Sequence, residues 1–243
     1  MKKTLFLFAV AAGLSTACTE KFVEPDPTAI GLDYYPVKVG DFRIYNVTDI
    51  RFRNNIGDTT RFQLRERVDT SFYDQTNTLT FKIVRSVRAN NTMAWQDDSV
   101  MVVTKSDKFV TETKDNTKRV KMVFPVRSGK EWRADAFNAN LDENRSKEMY
   151  SFQEVGAPAT VGGASYNQTV TVIHGTPADN LVQLDDRKEV YANNVGMVYR
   201  LFKKVTYCND SESKTCPFRR PPEPPYKLYG HEREETLQTY GTR

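Results

Sequence analysis

Three cysteines, two histidines and a scatter of adjacent carboxylates are the side chains with which this chain could do chemistry. Cys208 and Cys216 bracket a short polar loop, and two thiols at that spacing make either a local disulfide or half of a metal site. A zinc site needs four ligands, and only these thiolates with His174 or His231 could offer soft ones, so the disulfide is the better reading. His174 ends the strand-like run over residues 169–173, just before Gly175, and His231 lies among Glu232, Arg233 and Glu234. Both read as lone surface histidines. No glycine-x-serine-x-glycine elbow occurs, so a serine triad of that kind has no nucleophile. Gly162-Gly163 is a tight turn and not a phosphate cradle, because no lysine-serine or lysine-threonine pair follows it. The pairs Asp97-Asp98 and Asp185-Asp186 could act as acid and base across a sugar. Adjacent residues of a strand point to opposite faces, so these pairs read as solvated turn residues. No catalytic residue, cofactor or metal is expected from this set.

The third cysteine has a different setting. Lys2 and Lys3 precede an almost wholly apolar run over residues 4–14, and the small residues Ser15, Thr16 and Ala17 follow it. That is the layout of a secretory signal, whose apolar stretch of roughly 7–15 residues is too short for the ~20 that a membrane span requires. Leu14-Ser15-Thr16-Ala17-Cys18 resembles the lipobox of bacterial lipoproteins, with Ser15 where a leucine is usual. The resemblance implies that residues 1–17 are removed and that Cys18 carries the acyl chains. Two or three chains, at ~0.8 kcal/mol per buried methylene, hold a soluble domain stably at a membrane, where one does not. Export also favours the Cys208–Cys216 bridge, because disulfides persist outside the reducing cytosol. A loop this small would contribute only ~2–3 kcal/mol by chain entropy, so it pins a local segment rather than the fold.

The elements that must carry these residues are strands. Without residues 1–17 the formal net charge falls from +4 to +2, and both signs are interspersed, which disfavours nucleic acid as a partner. Twelve tyrosines and fourteen phenylalanines suit a sheet. From Asp41 onward the period is two: Phe42, Ile44, Ile50 and Phe52 share one face, while Arg43, Asp49, Arg51 and Arg53 share the other. Phe62, Leu64, Val68 and Phe72 alternate in the same way with Arg61, Gln63, Arg65, Arg67 and Asp69. The apolar set is expected to face the core in each case. Asparagine, aspartate and glycine clusters near residues 54–58, 74–77, 90–91, 106–107 and 115–116 punctuate the runs as turns. Residues 134–149 read equally well as a short helix or a loop. The expectation is an all-β fold, an antiparallel curved sheet, barrel or sandwich. An internal echo divides it: Tyr35-Pro36-Val37-Lys38-Val39-Gly40-Asp41-Phe42-Arg43 returns as Phe124-Pro125-Val126-Arg127-Ser128-Gly129-Lys130-Glu131-Trp132-Arg133. The chain thus reads as a signal (residues 1–17), a proline-bearing tether (18–33) and one β domain (34–243) of two similar halves, about 34–122 and 123–243.

Two motifs extend the resemblance. Tyr34-Tyr35-Pro36-Val37-Lys38-Val39-Gly40 and the hairpin Glu189-Val190-Tyr191-Ala192-Asn193-Asn194-Val195-Gly196-Met197-Val198-Tyr199 are similar to segments of uncharacterised cell-envelope lipoproteins of Bacteroidota. That resemblance implies a place, lipid-anchored in the cell envelope and most naturally at the outer membrane, and fixes no binding residue. The functional reading is a non-catalytic binding or assembly module, not an enzyme, tethered through Cys18 and facing an outer-membrane protein. Trp95, in the loop over residues 91–98, and Phe218 and Tyr226, flanking the proline run 221–225, are the candidate partner contacts. Two other readings fit the residues: an envelope polysaccharide or peptide hydrolase working with paired carboxylates, and a lipocalin-like carrier of a small apolar ligand in a curved sheet.

Overall fold

A computed structural model describes residues 30–138, 147–210, 216, 217, 219 and 223–243. Among the described residues thirteen strands carry the fold: β1 (Asp41–Arg53), β2 (Ile56–Tyr73), β3 (Leu79–Arg88), β4 (Gln96–Lys105), β5 (Phe109–Lys114), β6 (Thr117–Val123), β7 (Glu131–Arg133), β8 (Met149–Val161), β9 (Ala164–His174), β10 (Ala178–Asp179), β11 (Gln183–Ala192), β12 (Gly196–Tyr207) and β13 (Lys227–Thr242). They form one sheet in the order β6-β5-β4-β3-β2-β1-β13-β12-β11-β9-β8-β7, with β10 added beside β11. Every pairing is antiparallel. The fold is all-β, and the sheet curls until it is nearly closed into a barrel.

The order shows how the two halves assemble. Strands β1 to β6 meander in chain order, the strands from β7 to β13 do the same, and β1 and β13 zip the halves together from Asp41↔Thr242 to Arg53↔Tyr229. At the opposite seam the Val120 N–H donates to the Ala134 carbonyl at 2.8 Å, and Trp132 Nε1 donates to the Val120 carbonyl at 2.9 Å. Closure matters because an open edge strand leaves a row of unpaired backbone groups.

The sequence echo has a shared geometry. Gly40 and Gly129 both adopt positive φ, 93° and 74°, where a Cβ would be strained. Asp41 N–H returns to the Lys38 carbonyl at 3.0 Å and Lys130 N–H to the Arg127 carbonyl at 3.2 Å. Each glycine N–H then reaches a carbonyl on the next strand, Val68 for Gly40 and Phe152 for Gly129. One turn leads into a strand of 13 residues and the other into a strand of 3.

The barrel has one sealed end. A 3-10 turn at Leu32–Tyr34 lies across it, held where Val126 N–H meets the Ile30 carbonyl at 3.0 Å and Asn194 N–H meets the Asp33 carbonyl at 2.8 Å. Lys105 Nζ donates to the Leu32 and Tyr35 carbonyls, and Arg43 to those of Pro36 and Val195. Residues 30–33 therefore pack on the domain, while residues 18–29 lie outside the described residues. In the contested stretch 134–149, the described residues 134–138 and 147–148 form turns and coil, and Met149 begins β8.

Two facings differ from the sequence expectation. On β1 the inner wall is built by Arg43, Tyr45, Val47 and Asp49, with Tyr45 and Val47 fully buried, so Phe42, Ile44, Ile50 and Phe52 face outward. The polar face can turn inward because the interior supplies partners for its charges. On β2, Leu64 and Val68 do face inward, but a bulge at Asp69 turns Phe72 to the outside. A one-residue irregularity exchanges faces for everything beyond it.

Candidate functional site

The inner wall carries a chain of alternating charges. Glu189 on β11 accepts from Lys121 Nζ at 2.5 Å and from Arg200 Nε at 2.8 Å through Oε1, and from the Tyr191 hydroxyl at 2.6 Å through Oε2. Arg200 also reaches Glu235 at 3.0 Å, Glu235 accepts from Arg233 at 2.7 Å, and Arg233 reaches Asp49 at 3.2 Å. His231 Nε2 lies 2.9 Å from the same Asp49 oxygen. These side chains meet because Glu189, Arg200 and Glu235 stand directly opposite one another across β11, β12 and β13. Lys121 comes from β6, so its pair with Glu189 ties the seam strand to the far half of the sheet.

The electrostatics follow from burial and neighbours. Burial alone would push the Glu189 carboxyl up, but Lys121, Arg200 and His174 together hold it well below the ordinary carboxylate range. Glu235 is likewise lowered against its burial by Arg200 and Arg233. Burial and the adjacent Glu189 charge raise the Tyr191 phenol well above its ordinary value, so it stays a hydrogen-bond donor. His174 corrects the sequence reading: it is buried, not a surface residue. Its ring stacks on Tyr150 with centroids 3.9 Å apart, and its Nε2 stands 3.6 Å from Glu189, beyond hydrogen-bond reach. Burial holds it below its ordinary pKa in spite of Glu189.

The cavity on the inner wall is small. The cavity lined by Tyr35, Tyr45, Glu66, Glu112, Met101 and Arg200 measures about 30 Å³, room for about one ordered water. A small-molecule site is typically ~300–1,000 Å³, so this interior gives the lipocalin-like reading no chamber at that place.

The larger recess is on the outer wall. Strand β8 is irregular between Gln153 and Ala159, with Glu154 and Gly156 at positive φ, and the β8–β9 hairpin hooks back over the sheet. Its tip reaches β13, where a Cβ on Gly162 would come within 2.7 Å of Thr236 Cγ2. Beneath the hook lies a groove of about 600 Å³, floored by Thr171, Ile173, Lys188, Val190 and Tyr199 and roofed by Ala159 and Val161. The Thr171 hydroxyl fixes Glu154 at 2.9 Å. Burial and the neighbouring Glu234 push the Tyr199 phenol up to about 12. The floor thus offers an aromatic ring, aliphatic side chains and a Lys188 ammonium without an ion pair among the described residues.

The residues singled out from sequence do not converge. Trp95 lies against the outer wall with the guanidinium carbons of Arg65 and Arg88 at 4.7 and 4.3 Å from its ring. Cys208 and Cys216 are disulfide-bonded with Cα atoms 5.8 Å apart. Tyr226 follows that loop, its carbonyl accepting from Cys208 N–H at 2.8 Å and its ring lying 5.8 Å from Arg219. Cys18 and Phe218 lie outside the described residues. Asp185 pairs with Arg187 at 2.6 Å, and Asp97 accepts from Ser86 at 2.8 Å, so neither faces its neighbouring acid as an acid–base couple would. Among the described residues no group of three or more histidine, cysteine or acidic side chains is placed to hold a metal ion. The Glu189 chain escaped the sequence reading. Its trace was there: Glu189 shares the period-two face of Tyr191, and Glu235 that of Leu237.

No protein-family description and no curated protein matches the chain. Among solved structures it is similar to a protein of Bacteroides fragilis described as a candidate exported protein with a YmcC-like fold, at 13% identity and a TM-score of 0.38 over 86% of this chain and 98% of that one. At that distance no residue assignment passes from one to the other.

Proposed function

We propose that this chain is an exported lipoprotein, held at the outer membrane through Cys18, whose barrel is a non-catalytic module that binds an envelope partner in the groove beneath the β8–β9 hook. The observation that carries the reading is where the space lies. The buried carboxylates Glu189 and Glu235 are committed to Lys121, Arg200 and Arg233 and the cavity beside Arg200 holds only about 30 Å³, whereas the recess of about 600 Å³ lies on the outer wall. A general acid or base must reach a substrate proton directly or through one water, and Glu189 is instead saturated by Lys121, Arg200 and Tyr191. Trp95, Phe218 and Tyr226 are the secondary contacts in this reading.

The experiment is photocrosslinking in intact cells from a reactive residue at Lys188, with a second at Trp95. A discrete envelope component captured from Lys188, and lost on Tyr199→Ala, supports the groove. Capture from Trp95 alone moves the site to the outer face of β2 and β3. Turnover of an envelope polymer by the purified protein, abolished by Asp185→Asn with Asp186→Asn, would replace the module with a hydrolase.

A further inference from the structure

Among the described residues nothing covers an apolar tip at the sealed end of the barrel. Strand β2 pairs with β1 only up to Arg67, yet its ladder with β3 runs on to Tyr73↔Leu79. The hairpin therefore projects past the level where β1 begins. On it Phe72 is 45% exposed, Tyr73 67% and Leu79 38%, and Val39 in the neighbouring turn is 42% exposed. Tyr73 and Leu79 are cross-strand partners on one face, while Phe72 occupies the other. The tip is firmly built: one oxygen of Asp74 accepts from Thr76 N–H at 2.9 Å, from the Thr76 hydroxyl at 2.7 Å and from Thr78 N–H at 3.0 Å. Exposed apolar side chains on so ordered a turn are not slack from a loose loop; they are displayed.

The N-terminal segment points to what they meet. The chain enters the barrel at this same end, where the Ile30 carbonyl accepts from Val126 N–H and the 3-10 turn lies across the opening. Gly40, beside that turn, is bonded to Val68 on the strand that becomes the tip. Only residues 19–29 separate Cys18 from Ile30, and a chain of that length reaches at most about 40 Å. An anchor on so short a lead, leaving from the end that bears the tip, keeps the tip near the bilayer. Tyrosine, phenylalanine and leucine on a polar-capped hairpin suit the membrane interface, where an apolar body sinks and a polar part stays wet.

We propose that the β2–β3 tip, through Phe72, Tyr73 and Leu79, is a membrane seat: it dips into the interface of the bilayer that holds Cys18 and orients the barrel with its sealed end down. The inference rests on the lipid anchor of the proposed function, and the test separates the two. The lipidated protein is reconstituted into phosphatidylethanolamine–phosphatidylglycerol vesicles with an environment-sensitive fluorophore on Tyr73→Cys or, in a second sample, on Met93→Cys in the exposed loop before β4. The native thiols do not interfere, one being acylated and two disulfide-bonded in this reading. The expected result is a blue shift and quenching by nitroxide-labelled lipid at position 73, neither at position 93, and loss of the effect at 73 on Phe72→Ser with Leu79→Ser. No shift at 73, or a shift at 93 instead, overturns the seat even when mass spectrometry finds acyl groups on Cys18. An N-terminal peptide without acyl groups removes the anchor; the same protein carrying Cys18→Ser, labelled at position 73 and added to vesicles from solution, then reads the tip alone, and failure to shift there also overturns it. Leu79→Cys gives an independent label on the same face.

Discussion

On the inner wall of the barrel Arg200 lies between Glu189 and Glu235, and Arg233 between Glu235 and Asp49. On the outer wall Arg65 and Arg88 rest on the ring of Trp95, with Ser86, Gln63 and the Asn91 carbonyl as their polar contacts. The same side chain is satisfied in two ways because the two walls differ in water. Inside, a cation out of water needs an anion to offset its desolvation. On the outer wall the guanidinium groups are only partly buried, and neutral partners with the face of an indole hold them in place. The inner network is therefore a set of mutual dependencies, and the outer stack is a local contact.

The contrast is broken most severely at its centre. Glu189→Ala should cost ~3–5 kcal/mol, because it leaves Lys121 and Arg200 buried with one carboxylate between them. Urea denaturation measures this, and adding Lys121→Met should recover part of the loss; a double variant worse than the single would show that the pair was not the issue. The covalent tie of the outer loop comes next. Replacing Cys208 and Cys216 together by serine should cost ~2–3 kcal/mol and leave the far-ultraviolet circular dichroism of the sheet unchanged.

Acid should find the inner wall before the outer one. His174 has a lowered pKa in the fold, so the unfolded chain takes up its proton first, and stability declines as pH falls from about 6.5 towards the folded value. His174→Phe, which keeps a ring against Tyr150, should flatten that part of the profile. Glu189 is lowered too, so its contribution is complete above the unfolded carboxylate value of about 4.3 and is lost below it. Melting temperatures across this range, compared between wild type and the two variants, distinguish the windows. The smallest effect is outside: Trp95→Ala removes two half-buried cation–π contacts of ~0.5–1 kcal/mol each, so ~1–2 kcal/mol in all. A loss as large as that of Glu189→Ala would erase the difference between the walls.

The fold class and the antiparallel pairing of chain neighbours were legible in the chain. Period-two runs between asparagine- and glycine-rich turns announce a meander, and a meander can only be antiparallel between neighbours. The echo around Gly40 and Gly129 announced the two halves, because a glycine forced to positive φ leaves its mark in the sequence. The cysteine pair was legible for a similar reason: its eight-residue separation is local, and local geometry needs no knowledge of the fold.

Facing was not legible on β1, nor was the fate of the charges. Alternation tells that two faces differ without telling which is inside, and apolar-inward is the right guess only where the interior is oil-like. Here Arg43 and Asp49 turn in because partners come from strands far along the chain, Val195 on the β11–β12 turn and Arg233 on β13. Lys121 and Glu189 are 68 residues apart, and no spacing in the sequence links them. The groove belongs to the same class: β8 carries Gly156 and Pro158 as visible breaks, but that the hairpin hooks back onto Thr236 is decided by contact with another strand. The sequence by itself determined what is set by neighbours along the chain, the strands, their turns, the repeat and the disulfide. Tertiary structure alone decided which face meets water, since burial and pairing of a charge depend on groups that only closure of the barrel brings within a few ångströms.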